Sequence, residues 1–176
     1  TESALTNGIK YAAKNGADII TMGLSFSLNY KPSYSLRQAI DYAINKGVIL
    51  VGTAGNDGKY GVTYPAKFPG LISVGAYERI KKNGKVHRII SRYSNFSNSL
   101  SIFAPGGALN IDIDNDGHPD GILGITTELQ NPEKFIYSFQ IGTSPATAIV
   151  SGVVARLLAN GCPREKVDEA LRDVSR

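Results

Sequence analysis

The chain predicts an α/β fold: three layers, with a parallel sheet carrying helices on both faces. Three observations point to it. Helix-like and strand-like segments alternate from Leu5 to Val51 with short glycine-containing joints, a pattern that leads to parallel strands with right-handed crossovers. The run from Ala146 to Ala159 has Arg156 as its one charged residue, and a helix apolar on nearly every side is expected at the centre of a layered domain. A length of 176 residues suits one domain with a single sizeable core.

The elements follow in order. Leu5, Ile9, Ala12 and Ala13 share one helical face, and Asn15-Gly16 closes that helix. Ala17 to Leu24 reads as a buried strand. Tyr34-Ser35 offers a cap for a second helix with Leu36, Ala39, Ile40 and Ala43 inward and Gly47 as its stop. Val48 to Val51 and Leu71 to Ala76 are apolar strands. Lys82-Asn83-Gly84-Lys85 is a hairpin signal flanked by Ile80 and Val86. Short β-like pieces fill Ile89 to Phe103, an Asp-rich loop follows, and Phe135 to Ile141 reads as a strand leading into the apolar helix. A last helix opens at Pro163 with Val167, Ala170 and Leu171 inward.

Composition excludes several classes. Hydrophobic residues make up 42% and charged residues 19%, with a formal charge of +4, the profile of a globular domain. The basic cluster from Arg79 to Arg88 lacks interleaved aromatics, which argues against nucleic acid as a partner. No apolar run is long enough to span a bilayer, so no membrane partner is expected. Cys162 is the single cysteine, which excludes an internal disulfide. The chain opens on Thr1 rather than Met, and its true N-terminus is expected further upstream.

Ser144, with Pro145 after it, stands at the start of the apolar helix. Such a start presents free N–H groups and a positive dipole end beside a hydroxyl, which suits a nucleophile that builds an oxyanion. The same residue type would also serve simply as an N-cap. Asn56, in Gly55-Asn-Asp-Gly58 after a strand, suits either an uncharged donor to developing negative charge or a turn residue with positive φ.

Four segments, in this order, carry a resemblance to a known family: Thr53-Ala54-Gly55-Asn56-Asp57-Gly58; Tyr64-Pro65-Ala66-Lys67-Phe68-Pro69 leading to Ile72-Ser73-Val74-Gly75-Ala76; Ser94-Asn95-Phe96-Ser97 leading to Phe103-Ala104-Pro105-Gly106; and Gly142-Thr143-Ser144 before the apolar helix. The chain resembles the subtilisin-like serine proteases. The resemblance implies Ser144 as nucleophile and Asn56 as oxyanion donor. It places an extended peptide or protein substrate between Gly23, Leu24 and Ser25 on one wall and Thr53, Ala54 and Gly55 on the other, with Thr143 beside the nucleophile. It also implies a cis Tyr64-Pro65 bond and a secreted or extracytoplasmic location. Ser25-Phe26 and Thr63 stand where the family has small glycines, which narrows the expected pockets. Pro145 replaces a Met, and Ala148-Ile149 replaces a Pro-His pair.

The family's Asp motif and its His-Gly-Thr motif do not occur. The histidines are His87, in the basic hairpin, and His118, in the Asp-rich loop. Residues 1–176 are therefore expected to be the C-terminal portion of a subtilisin-like domain truncated at its N-terminal side. An upstream segment or another chain would carry the Asp and His, and this chain alone would show little proteolysis. A non-catalytic peptide-binding or assembly role is the alternative.

The Asp-rich loop runs Asp112-Ile-Asp114-Asn-Asp116-Gly-His-Pro-Asp120. Alternating carboxylates at Asp112, Asp114 and Asp116, a glycine at the turn and Asp120 closing the loop suit calcium coordination by oxygen. The spacing is not a full EF-hand, since Leu123 falls where its closing Glu would stand. An acidic solvated turn is the other reading.

Overall fold

The computed structural model describes residues 1–174. Its centre is a five-stranded sheet. Helix α1, Glu2–Lys14, leads to β1, Ile19–Met22; α2, Tyr34–Asn45, leads to β2, Ile49–Thr53. Strands β1, β2 and β3 (Leu71–Lys82) run parallel in that spatial order. Strand β5, Ile102–Pro105, pairs parallel with β3, and β4, Lys85–Ile90, folds back antiparallel on the outer part of β3.

Alternation along the strands builds two cores, one on each face. Met22, Leu50 and Leu71 pack with Ile9, Leu36 and Ile40 under α1 and α2. Val51, Ile72 and Val74 pack on the opposite face with Val150 and Val154 of α3, Thr143–Ala159, and with Val167 and Leu171 of α4, Val167–Val174. A 3-10 turn, Arg164–Lys166, links α3 to α4. These are the three layers the sequence predicts.

Several details differ. The first strand is Ile19–Met22 rather than Ala17 to Leu24, and only Met22 in it is buried. It pairs with β2 alone among the described residues, so one flank lacks a neighbour to cover it. The cap of α2 is Ser33, whose hydroxyl accepts from Leu36 N–H at 3.2 Å, not Tyr34-Ser35. Helix α3 is not surrounded: Ala146, Thr147, Val150, Ser151 and Val154 are buried, whereas Ala148, Gly152 and Ala155 are exposed on the far side.

Residues Ile122–Glu128 form a strand, β6, that the sequence pattern did not announce. It pairs antiparallel with β7, Asn131–Gln140, in a separate two-stranded sheet. The Asn83-Gly84 turn has the expected geometry, with φ of 52° and 74°. The Tyr64-Pro65 peptide bond is cis.

Candidate active site

The carboxyl ends of β1 and β2 and the amino end of α3 meet at one rim of the sheet, where clefts of open α/β folds form. Gly142 is the N-cap of α3, at φ 136°, a conformation open to glycine. Ser144 therefore lies inside the first turn and is not the cap. Its Oγ donates to the Gly23 carbonyl at 2.8 Å. A peptide carbonyl accepts a hydrogen bond but does not take the proton, so this contact positions the hydroxyl without activating it. Neither His87 nor His118 bonds to Ser144; the His118 ring stacks on Phe139 at 5.7 Å.

Asn56 stands directly beside this turn. Its Oδ1 accepts from the Thr143 N–H at 2.9 Å and from the Thr143 hydroxyl at 2.8 Å. Because an N–H can only donate, the carbonyl end must face Thr143, which directs Nδ2 the other way. Asn56 is exposed, and among the described residues its Nδ2 donates to none. Non-glycine residues at positive φ are Asn83 and Asn115, so Asn56 is not the strained turn residue its flanking glycines would also allow.

The loop that carries Asn56 is organised by Asn95, which is 0% exposed. Asn95 Oδ1 accepts from Asp57 N–H at 2.9 Å and Lys59 N–H at 3.2 Å. Its Nδ2 donates to the Ala54 carbonyl at 3.2 Å and to Asp57 Oδ2 at 3.1 Å. Gly55 must be glycine here: its φ is +106°, and a Cβ would lie 2.5 Å from Asn95 Nδ2 and 2.8 Å from the Thr63 methyl. Sequence reasoning assigned Asn95 no role; its place within Ser94-Asn95-Phe96-Ser97 was the available signal.

The expected substrate walls differ from each other. Gly23, Leu24 and Ser25 are exposed, with Gly23 packed on Ser144. Thr53 and Ala54 are buried, and the Ala54 carbonyl is occupied by Thr63 N–H, Thr63 Oγ1 and Asn95 Nδ2. Gly55 is buried too. Thr143 does not line an open wall: it is 0% exposed, its N–H and hydroxyl go to Asn56, and it accepts the Thr53 hydroxyl. Thr53 and Thr143 thus hold Asn56 in place.

The Gly23–Ser25 wall is braced from behind. Phe26 N–H donates to the Tyr64 carbonyl at 2.9 Å, and the Phe26 ring stacks on Tyr30 at 4.1 Å. The Tyr30 hydroxyl and the Ser33 N–H both donate to Glu2 Oε2. Hydrogen bonds from Ser33, then Tyr30, hold the Glu2 carboxyl below its ordinary range. The same carboxylate pushes the Tyr30 hydroxyl up to about 12.

The acidic loop lies against the outer part of β3, where Asp114, Asp116 and Asp120 share a cleft with Glu78 and Arg79. Asp112, Asp114 and Asp116 each bring a carboxylate oxygen within 4.8 Å of the others. Asn115 at φ 58° and Gly117 at φ 86° make the turn that gathers them. Asp120 does not join the group. Its Oδ1 pairs with the Arg79 guanidinium at 2.9 Å and its Oδ2 accepts from Ile113 N–H at 3.2 Å, so it ties the loop to β3.

The model of the Subtilase family matches residues 1–174. Thermophilic serine proteinase of Bacillus sp. (strain AK1) is 27% identical over 175 residues, which are 99% of this chain and 36% of that protein. Thermitase of Thermoactinomyces vulgaris is 27% identical over 175 residues, covering 99% of this chain and 52% of its own length. A solved protease of Pseudoalteromonas arctica PAMC 21717 superposes with a TM-score of 0.79 at 27% identity, over 100% of this chain and 52% of that one. The chain thus spans between about a third and a half of the relatives it matches.

Proposed function

This chain belongs to the subtilase family, and we propose that it is the C-terminal catalytic portion of a serine endopeptidase whose nucleophile is Ser144. The observation that carries this is the fixed placement of Asn56 against Thr143, the residue before Ser144. In the proposed reaction the Ser144 oxygen attacks a peptide carbonyl while its proton passes to a base. The carbonyl oxygen becomes an oxyanion, and the Asn56 Nδ2 and the N–H groups opening α3 donate to it. The amine leaves with the proton, and water then releases the acyl group from Ser144.

The base and the carboxylate that orients it come, on this reading, from an upstream segment or a second chain, since among the described residues neither His87 nor His118 bonds to Ser144. Substrate passes along the exposed Gly23–Ser25 wall. Thr63, 1% exposed beneath Gly55, fills the floor of the adjoining pocket and favours small residues before the cleaved bond. The oxygen-only donor set of Asp112, Asp114 and Asp116 fits a calcium ion, which would neutralise three converging carboxylates and brace the loop. A secreted or extracytoplasmic location belongs to the same proposal.

The test is hydrolysis of a chromogenic peptide by this chain combined with a segment supplying the Asp and His motifs. Activity lost in Ser144→Ala supports the proposal, and activity unchanged by that substitution refutes it. A non-catalytic peptide-binding role is the second reading, favoured by the Ser144 hydroxyl being engaged by a carbonyl rather than by a base.

A further inference from the structure

Between Arg79 and Arg88 the sequence holds five Lys or Arg residues, one histidine and no carboxylate. The fold turns this run into a two-stranded ribbon in which Arg79 stands opposite Arg88, Lys81 opposite Val86 and Lys82 opposite Lys85. Like charges set directly across a ladder weaken it, so the ribbon carries this charge at a cost to its own pairing. All of β4 is exposed. Among the described residues, Arg79 is paired with Asp120 and Arg88 lies over the Tyr77 ring at 5.5 Å. Lys81, Lys82 and Lys85 form no ion pair among the described residues.

The ribbon rises from the rim that holds Ser144. Strands β1, β2 and β3 are parallel, so their carboxyl ends share one edge of the sheet, and the ribbon is β3 continued past it. The Ala54 N–H donates to the Val74 carbonyl, and the Ser91 N–H donates to the Ala76 carbonyl. Carbonyls two residues apart on a strand point the same way, which puts β4 on the β2 side of β3, over the loop that carries Asn56. Its base is fastened there, since Gly58 N–H donates to the Tyr93 carbonyl at 2.9 Å.

We propose that the β3–β4 ribbon is a docking arm for acidic, extended segments of polypeptide substrates, held at the rim beside the Ser144 cleft. The proposal rests on the reading of Ser144 as a peptide nucleophile. Strand β4 ends the sheet path, so its outer edge is open among the described residues and available to an added strand. An extended peptide sends alternate side chains to opposite faces. Carboxylates on both would meet charge: Lys81 and Arg88 lie on one face of the ribbon, where Arg79 is already paired with Asp120, and Lys82 and Lys85 lie on the other beside His87. Nucleic acid fits less well, because the Tyr77 ring beside these charges is covered by Arg88 and so is not open for bases to stack on. A lipid surface fits less well, because it would engage one face and leave the other charged side in water.

The experiment is fluorescence anisotropy of a labelled short oligoglutamate, and of its glutamine counterpart, titrated with this chain at low salt. The oligoglutamate binds and the glutamine peptide does not. Binding weakens as salt approaches ~0.15 M, where screening acts over about 8 Å. The triple variant K81Q/K82Q/K85Q binds on the order of tenfold more weakly, while K10Q/K14Q on α1 binds as the unmodified chain does. If the triple variant melts abnormally, Lys82→Glu alone, beside the turn, serves in its place. Ser144→Ala binds normally, so loss of docking and loss of the nucleophile assignment are separate results. Equal binding by the triple variant, equal binding of the glutamine peptide, or ribbon-dependent binding of phosphatidylserine vesicles or single-stranded DNA without peptide binding would overturn the proposal.

Discussion

The Asn56 carboxamide oxygen takes both donors of Thr143, at 2.9 and 2.8 Å, across 87 residues of chain. This one contact joins the loop after β2 to the first turn of α3, and it decides which end of Asn56 faces the cleft. Replacing Asn56 by Ala is expected to slow acylation of Ser144 in the reconstituted enzyme by about 10²–10³-fold, the loss known for removal of the oxyanion-hole asparagine of a subtilisin. Stopped assays of kcat against KM check it, with the loss expected in kcat.

Asn95 supports Asn56 from below, with four hydrogen bonds inside a buried site. Asn95→Ala leaves the Asp57 and Lys59 N–H groups without their acceptor and removes the donor to Asp57. A loss of about 2–3 kcal/mol in stability is expected, read from urea unfolding.

Much of this site was legible from residue order. Ser144, Asn56 and Gly23 were placed by motif and by their positions after strands, and the rim of a parallel sheet brings such positions together. The fold's alternation was legible because Leu36, Ala39, Ile40 and Ala43 repeat with helical spacing. What was not legible had physical reasons. β6 alternates Leu123 and Ile125 outward without a buried face to mark it. Asp120 carries the same charge as its neighbours, and only the fold brings Arg79 to it. Thr143 reads as a cleft residue until its donors are traced to Asn56.

Calcium is expected to raise the melting temperature of the chain, and a chelator to lower it. A ligand at a hundredfold its Kd adds about 2.7 kcal/mol. Asp114→Asn should weaken this response, whereas Asp120→Asn should leave the metal response intact and lower stability without metal. Calorimetry with and without calcium separates the two variants.

Acid should loosen the Glu2 brace behind the Gly23–Ser25 wall. The folded carboxyl lies below its ordinary 4.5 because Ser33, then Tyr30, donate to it. Its contribution is therefore present above pH 4.5 and is lost as pH falls through the folded value. Tyr30 works in the opposite sense: held up to about 12, its contribution is intact below 10.0 and lost as pH rises through about 12. Melting curves across both windows should be flatter in Glu2→Gln than in the unmodified chain.

The most direct measurement is mass spectrometry of the chain after exposure to a fluorophosphonate, in the presence of a segment carrying the missing Asp and His. The account predicts a single adduct on the peptide containing Ser144, abolished in Ser144→Ala and much slower in Asn56→Ala. An adduct on another serine, or labelling of Ser144 that Asn56→Ala leaves unchanged, would contradict it.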